Sequence, residues 1–298
     1  MSSTGKGALL SICSAFFAAL FLIPYKAASE QAERDAVVLA MLLCAAVFNT
    51  FTSVSRKRRA RTWNRVTLIS AVSLAILSII GNIAVTEALA KIDAGLTSVL
   101  QRSQVLFVAG AAYLVLRERI TARFVVGALI AIGGFAVMQL PDPGEMRAAG
   151  MVWALSSAVC FALMQVVTRK VIHRIDPVRV NALRLWLAVF FLACVTGPID
   201  ALSGLDLKIW LLCSSAAFFG PFLGRVSLMY AVRYLPASQS TLLELVSPVF
   251  AFVLGFIAFG SVPSITEIAG AAILLAGIVL PVAEFAAQGE SRQDRGET

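Results

Sequence analysis

Shifted by 143 positions without a gap, the sequence falls on itself: Gly7 meets Gly150, Ser14 meets Ser157, Gly81 meets Gly224, Phe107 meets Phe250, Gly127 meets Gly270 and Gly134 meets Gly277. Single matches come cheaply in a chain rich in Ala, Gly and Leu. One register held from end to end does not. Each copy contains five apolar spans, and five is odd. A second copy with an odd number of crossings enters a membrane from the opposite side, so the duplication is inverted. Inverted repeats of this kind mark secondary transporters built for alternating access.

The spans lie at 5–25, 34–53, 65–90, 94–116 and 122–140, then at 149–171, 178–197, 207–232, 237–258 and 264–286. About 20 helical residues at ~1.5 Å each cross a hydrocarbon core of ~30 Å. With 59% hydrophobic and 14% charged residues, the spans consume nearly the whole chain. The expected architecture is therefore all-α and integral to the membrane: ten transmembrane helices as two inverted five-helix repeats, 1–143 and 144–286, followed by a cytoplasmic tail at 287–298. The first span reads as a retained helix. No clear small-residue cleavage site follows it, and it pairs with the sixth span at the common offset.

The net charge of +8 is distributed unevenly. With the N-terminus in the cytoplasm, that side collects Lys6, the run Arg56-Lys57-Arg58-Arg59 with Arg61 and Arg65, Arg117, Arg119, Arg123, Arg169, Lys170, Arg174, Arg179, Arg233, Arg292 and Arg295. The other side holds only Lys26, Arg34, Lys91, Arg147 and Lys208. This bias predicts both termini in the cytoplasm of a multi-pass protein of the bacterial inner membrane. The basic residues are then topology signals and lipid-headgroup contacts, not a nucleic-acid surface. Cysteines 13, 44, 160, 194 and 213 sit inside apolar spans without C-x-x-C spacing, which points to small buried residues.

Polar groups inside hydrocarbon are costly and face a bundle interior or a watery path. The fourth span carries Thr97, Gln101 and Gln104, and the ninth carries Ser240, Glu244 and Ser247. Spacing i, i+4, i+7 puts each trio on one helical face, and the two trios are related by the offset of 143. They are candidates to line a transport path, although Ser, Thr and Gln also serve as hydrogen bonds between membrane helices. At the same offset Asn82 maps onto Arg225, each just after a matched glycine. The stretch Gly220-Pro221-Phe222-Leu223-Gly224 predicts a kink there, as a moving part or a packing notch.

Arg225 lies eight residues before Arg233, and Glu244 eight after Pro236, so both sit ~12 Å from the same surface. Arg184 has a similar depth. These charges can form a structural ion pair, or a site for a substrate with both charges, such as an amino acid: Glu244 faces an ammonium and an arginine a carboxylate. Glu244 is also a candidate proton-coupling group, as is Glu87. Glu87, Arg102, Asn82 and Gln101 make a looser counterpart in the first half, with Arg102 about 100° off the stripe and equally suited to snorkelling or packing. Gln165, Trp186 and Tyr230 are weaker substrate candidates, joined by Asn181, and His173 reads as interfacial. Spans five and ten, almost purely apolar with matched glycines, read as peripheral scaffold or as a contact face for a homodimer.

No G-x-x-x-x-G-K-[ST], H-E-x-x-H or G-x-S-x-G occurs, and one histidine does not make a typical metal site. The chain is therefore read as no enzyme, without cofactor or metal. Ten spans in two repeats over about 300 residues resemble the drug/metabolite transporter superfamily, in particular its EamA-type exporters. The most family-like stretches are SPVFAFVLGFIAFG from Ser247 and LRERI at Leu116–Ile120 with the Gly127/Gly134 span. Two departures stand out: Val105 stands where span nine has Pro248, and Ser261 stands where the first repeat has Glu118. Within the superfamily the chain looks most like the bacterial YddG-type aromatic amino-acid exporters. The resemblance implies a central cavity between spans 1–4 and 6–9, a small-molecule substrate and outward transport. Export of another metabolite or a cationic drug, or a receptor or assembly subunit without transport, stay open alongside amino-acid export.

Overall fold

The structure, a computed structural model, describes residues 3–55, 65–92, 94–139, 148–196, 202–259 and 264–293. The expectations placed on Arg56, Lys57, Arg58, Arg59, Arg61, Arg147, Ser261 and Arg295 fall outside these residues. Among the described residues there is helix and no strand. That is what apolar surroundings require of a continuous chain, because a helix satisfies its own backbone polar groups. Side-chain polarity is treated likewise: Asn49, Thr50, Thr168 and Thr241 each donate to the carbonyl four residues earlier, at 2.7–2.9 Å.

The first half contains α1 (Ser3–Ser29), α2 (Arg34–Ser55), α3 (Arg65–Leu89), α4 (Ala94–Arg102), α5 (Gln104–Leu116) and α6 (Ala122–Gln139). The second contains α7 (Ala148–Val171), α8 (Pro177–Thr196), α9 (Leu207–Ala217), a π-helical segment (Phe218–Gly224), α10 (Arg225–Tyr234), α11 (Ala237–Glu244), α12 (Ser247–Phe259) and α13 (Ile265–Gln293). Eight segments among the described residues are long and apolar enough to cross a membrane, counting α4–α5, α9–α10 and α11–α12 each as one. The fifth and tenth apolar stretches form shorter apolar helices, Ala122–Met138 and Ile265–Val279.

Both fourth-position spans break where the polar stripes lie. Ser103 interrupts α4–α5, and its hydroxyl donates to the Leu100 carbonyl at 2.5 Å. At the matching place, Leu245 and Val246 turn back onto Leu242 and Leu243, and Pro248, lacking an N–H, enters the first turn of α12. The kink expected at Pro221 takes the form of the π-helical segment, a wider turn that absorbs the proline.

The main packing partners come from opposite halves. α1 lies along α9, the π-helical segment and α10; α7 lies along α3; α2 lies on α8; α6 lies on α13. The last pair explains the matched glycines of spans five and ten. A Cβ on Gly127 would stand 2.5 Å from the Gly277 carbonyl oxygen, and one on Gly277 would stand 2.5 Å from the Ala131 nitrogen. Only hydrogen fits at such a crossing. The glycine faces are consumed within the chain, so a second copy would have to dock elsewhere.

Candidate functional site

A cavity of about 250 Å³ opens at the two helix breaks, lined by Gln101, Arg102, Gln104, Val105, Phe161, Thr241, Glu244 and Leu245. The expected Gln101, Gln104 and Glu244 thus share one wall system. Thr97, Ser240 and Ser247 are buried on the same two helices but do not line it. The Ser240 hydroxyl bonds the Pro236 carbonyl at 3.1 Å instead.

The repeat reaches into the site's hydrogen bonds. Ser14 Oγ on α1 lies 2.8 Å from Glu244 Oε1 and 2.9 Å from the Gly224 carbonyl oxygen. Its counterpart Ser157 on α7 accepts from Gln101 Nε2 at 3.4 Å and donates to the Ala154 carbonyl at 2.7 Å. The same hydroxyl therefore meets the same stripe position in both halves, on a carboxylate in one and an amide in the other. A hydroxyl carries one hydrogen. Ser14 makes a full bond to both of its neighbours only when Glu244 carries a proton and donates to Ser14 Oγ.

Three arginines surround this centre. Arg184 is 8% exposed and donates from Nε and Nη2 to Asn181 Oδ1 at 3.2 and 3.0 Å, and from Nη1 to Ser78 Oγ at 3.0 Å. Asn181 passes the network on, donating to Asn49 Oδ1 at 3.0 Å and to the Pro221 carbonyl in the π-helical segment at 2.9 Å. Arg184 is thereby held by neutral oxygens alone, and the charge acting on it is the like charge of Arg225. Arg225 follows the π-helical segment directly, and its Nε and Nη2 are buried without a hydrogen-bond partner. Among the described residues no ion pair joins Arg225 to Glu244, although the charges of Arg225 and then Arg102 act on the carboxyl. Arg102 lines the cavity with its guanidinium 4.9 Å from the Phe135 ring centroid, a cation–π contact.

The remaining candidates stand further off. Asn82 donates to the Ser78 carbonyl at 2.6 Å and so touches the Arg184 network by way of Ser78 without lining the cavity. Gln165 is buried on α7 with Oε1 lacking a partner. Trp186 is 41% exposed and donates to Thr50 Oγ1 at 3.0 Å. The Tyr230 ring lies under the Arg233 guanidinium, 4.9 Å from its centroid, near the end of α10. Glu87 pairs with Lys91 at 2.5 Å at the end of α3, and neither lines the cavity.

One end of the bundle is fastened across the halves. Glu118 follows α5 and caps α11: its Oε1 accepts the Ala237 N–H at 2.9 Å, and its Oε2 accepts the Ser238 hydroxyl at 2.9 Å. A carboxylate at a helix N-terminus meets both free N–H groups and the positive end of the helix dipole. Arg169 approaches Glu118 at 4.0 Å and also bonds the Val232 carbonyl, while Arg233 Nη2 bonds the Ile175 carbonyl at 3.0 Å. Partial burial, with the guanidiniums of Arg169 and Arg233 nearby, holds the His173 imidazole below its ordinary pKa.

The lining is asymmetric on the same axis. α5 packs on α11, the two half-helices at the Glu118 end. Their repeat counterparts at the other end, α12 and α4, share no comparable packing among the described residues.

A solved protein crystal structure superposes with a TM-score of 0.76 at 15% identity, over 93% of this chain and 96% of that one, a likeness of fold alone. A protein of Streptantibioticus cattleyicolor described as a probable terminal-alkyne amino-acid exporter is 26% identical over 235 residues, 76% of this chain and 75% of its own length. Residues 5–140 and again 148–282 match the EamA-like transporter family. Two matches that between them span both halves place this multi-pass membrane protein in a family of transporters: the chain belongs to the EamA-like transporter family.

Proposed function

We propose that the protein exports small organic metabolites, amino acids foremost, by alternating access at the cavity between its halves. The halves, 1–143 and 144–286, cross the membrane ten times in all and leave both termini in the cytoplasm. The observation that carries the reading is the meeting of Glu244, Gln101 and Arg102 at two repeat-related helix breaks, with Arg225 close behind. Broken helices at the midplane are where transporters of this inverted kind hold substrate. Arg225, with two nitrogens unpartnered, suits a carboxylate. Glu244 suits an ammonium, and Phe161 gives the cavity an apolar wall. The Streptantibioticus relative, described as a probable terminal-alkyne amino-acid exporter, supports the substrate class.

Access alternates when the α5–α11 contact and the α4–α12 contact exchange. The conformation described is fastened at the Glu118 end, which the charge bias makes cytoplasmic, so the cavity communicates with the outside. Glu244 couples the cycle to protons. A proton on Glu244 is displaced inside by the substrate ammonium and regained outside after release.

The test is uptake and efflux of a labelled amino-acid panel in proteoliposomes, with and without a pH gradient, for the native chain and Glu244→Gln. Flux above empty vesicles that rises with the gradient, and loses that rise in Glu244→Gln, is the expected result. Absence of flux for every solute favours a receptor or assembly subunit and overturns the reading.

A further inference from the structure

The cavity's charge balance goes beyond the amino-acid reading, on which the following rests. Arg102 and Arg225 act on one carboxyl, Glu244, and Arg184 stands beside Arg225 through the Asn181–Pro221 link. The other carboxyls near the spans are engaged elsewhere, Glu87 with Lys91 and Glu118 with α11 and Arg169. Even a fully ionised Glu244 leaves two positive charges without a counter-charge. Arg184 has its hydrogen bonds filled, by Asn181 and Ser78, yet neither partner brings negative charge. Arg225 has no hydrogen-bond partner at Nε and Nη2. A buried cation without a compensating charge is strongly disfavoured even after relaxation. At ~12 Å from the surface Arg225 is too deep for an easy snorkel from helix to headgroups.

The geometry points to a site that selects substrates with net negative charge: amino-acid derivatives bearing one more acidic than basic group, such as N-acylated amino acids or those with an acidic side chain. A zwitterion brings an ammonium to Glu244 and a carboxylate to Arg225 and leaves the surplus as it was. A net anion reduces it. A net cation adds to it. Arg225 is the specificity residue, with Nε and Nη2 buried and unpartnered beside Glu244. Arg184, held by Asn181, fixes the field from behind, and Arg102 contributes from the cavity wall beside Gln101.

A charge series on a constant side chain tests this. N-acetylalanine, alanine and alaninamide carry −1, 0 and +1, and the same three forms of phenylalanine control for size. Binding of each is measured by titration calorimetry on the full chain in nanodiscs, and flux in proteoliposomes. The expected order is acetylated above zwitterion by about tenfold, the preference of a surplus positive field for one more net negative charge, with the amide weakest. Arg225→Gln should erase the tenfold preference and Arg225→Lys restore most of it, each checked for a monodisperse elution profile. If Arg225→Gln does not fold, the native series still decides. Zwitterion transport with equal or weaker binding of the acetylated forms overturns this inference and leaves amino-acid export standing. Binding of acetylated forms in the expected order without flux supports the anion site and overturns transport. Absence of both overturns the two together.

Discussion

Replacing Glu118 with alanine should unfasten the end of the bundle that the proposed topology places in the cytoplasm. Its carboxylate makes two short bonds, to the Ala237 N–H and to the Ser238 hydroxyl, both at 2.9 Å. The side chain is only 11% exposed, so water substitutes poorly for the lost contacts. Losing a helix cap costs about 1 kcal/mol, and a hydrogen bond to a charged group contributes about 1.5–3 kcal/mol. The Arg169 contact at 4.0 Å adds little. A bias of about 3 kcal/mol toward the closed cytoplasmic end follows, on the order of a 100-fold shift in population when removed. The assay is maleimide labelling of Gln104→Cys on the cavity wall, with the five native cysteines replaced, in inside-out vesicles. Glu118→Ala should raise the cytoplasmic labelling rate by about two orders of magnitude, and Glu118→Gln by less, because the amide keeps one acceptor. An unchanged rate, or a rise seen only from the outer face, would refute the latch.

Asn181→Ala removes the acceptor of two Arg184 nitrogens and the donor to Pro221, and should cost about 2–5 kcal/mol, seen as lower thermal stability and a shifted transport KM. Stability within experimental error of the native chain would show the network to be idle. Gly127→Ile forces a side chain into the Gly277 carbonyl and should lower the melting temperature by the cost of overpacking, about 1–3 kcal/mol or more. A neutral outcome would mean that α6 and α13 do not cross as described. His173, depressed in the folded chain, takes up protons later than its unfolded form. Folding stability should therefore fall as pH drops below about 6.5 and level off under the lower folded value. His173→Gln should flatten that slope in a pH series of melting curves, and an identical slope would count against it.

The helical architecture was legible because lipid leaves the backbone few choices, and because a repeat of 143 with an odd number of spans carries its own topology. The stripes were legible in part: Gln101, Gln104 and Glu244 meet at one cavity, while Thr97, Ser240 and Ser247 do not line it. The symmetric helix breaks were not. Pro248 marks the second, but Val105 occupies its place in the first half, where a serine hydroxyl bonding its own helix does the same work. Ser14 and Ser157 stood in plain view as repeat matches, yet nothing in a linear sequence joins Ser14 to a carboxyl 230 residues away. The offset could have found them, since whatever bonds Gln101 has a matched partner for Glu244. The Asn49–Asn181 link stayed hidden because an intramembrane asparagine serves its own helix as readily as another, and Asn49 does both. Glu118 stands out in the sequence as the counterpart of Ser261, but the latch it makes needed the contact with α11.

In the proposed cycle one cavity opens alternately to the two sides of the membrane. Spin labels on α5 and α11 report the gap at the Glu118 end, and labels on α4 and α12 report the gap at the opposite end, each read by pulsed electron resonance in nanodiscs. Adding a transported solute should shift the two distance distributions in opposite directions, the α5–α11 gap widening as the α4–α12 gap narrows. Gaps that widen together, or that ignore solute and pH alike, would contradict alternating access in this protein.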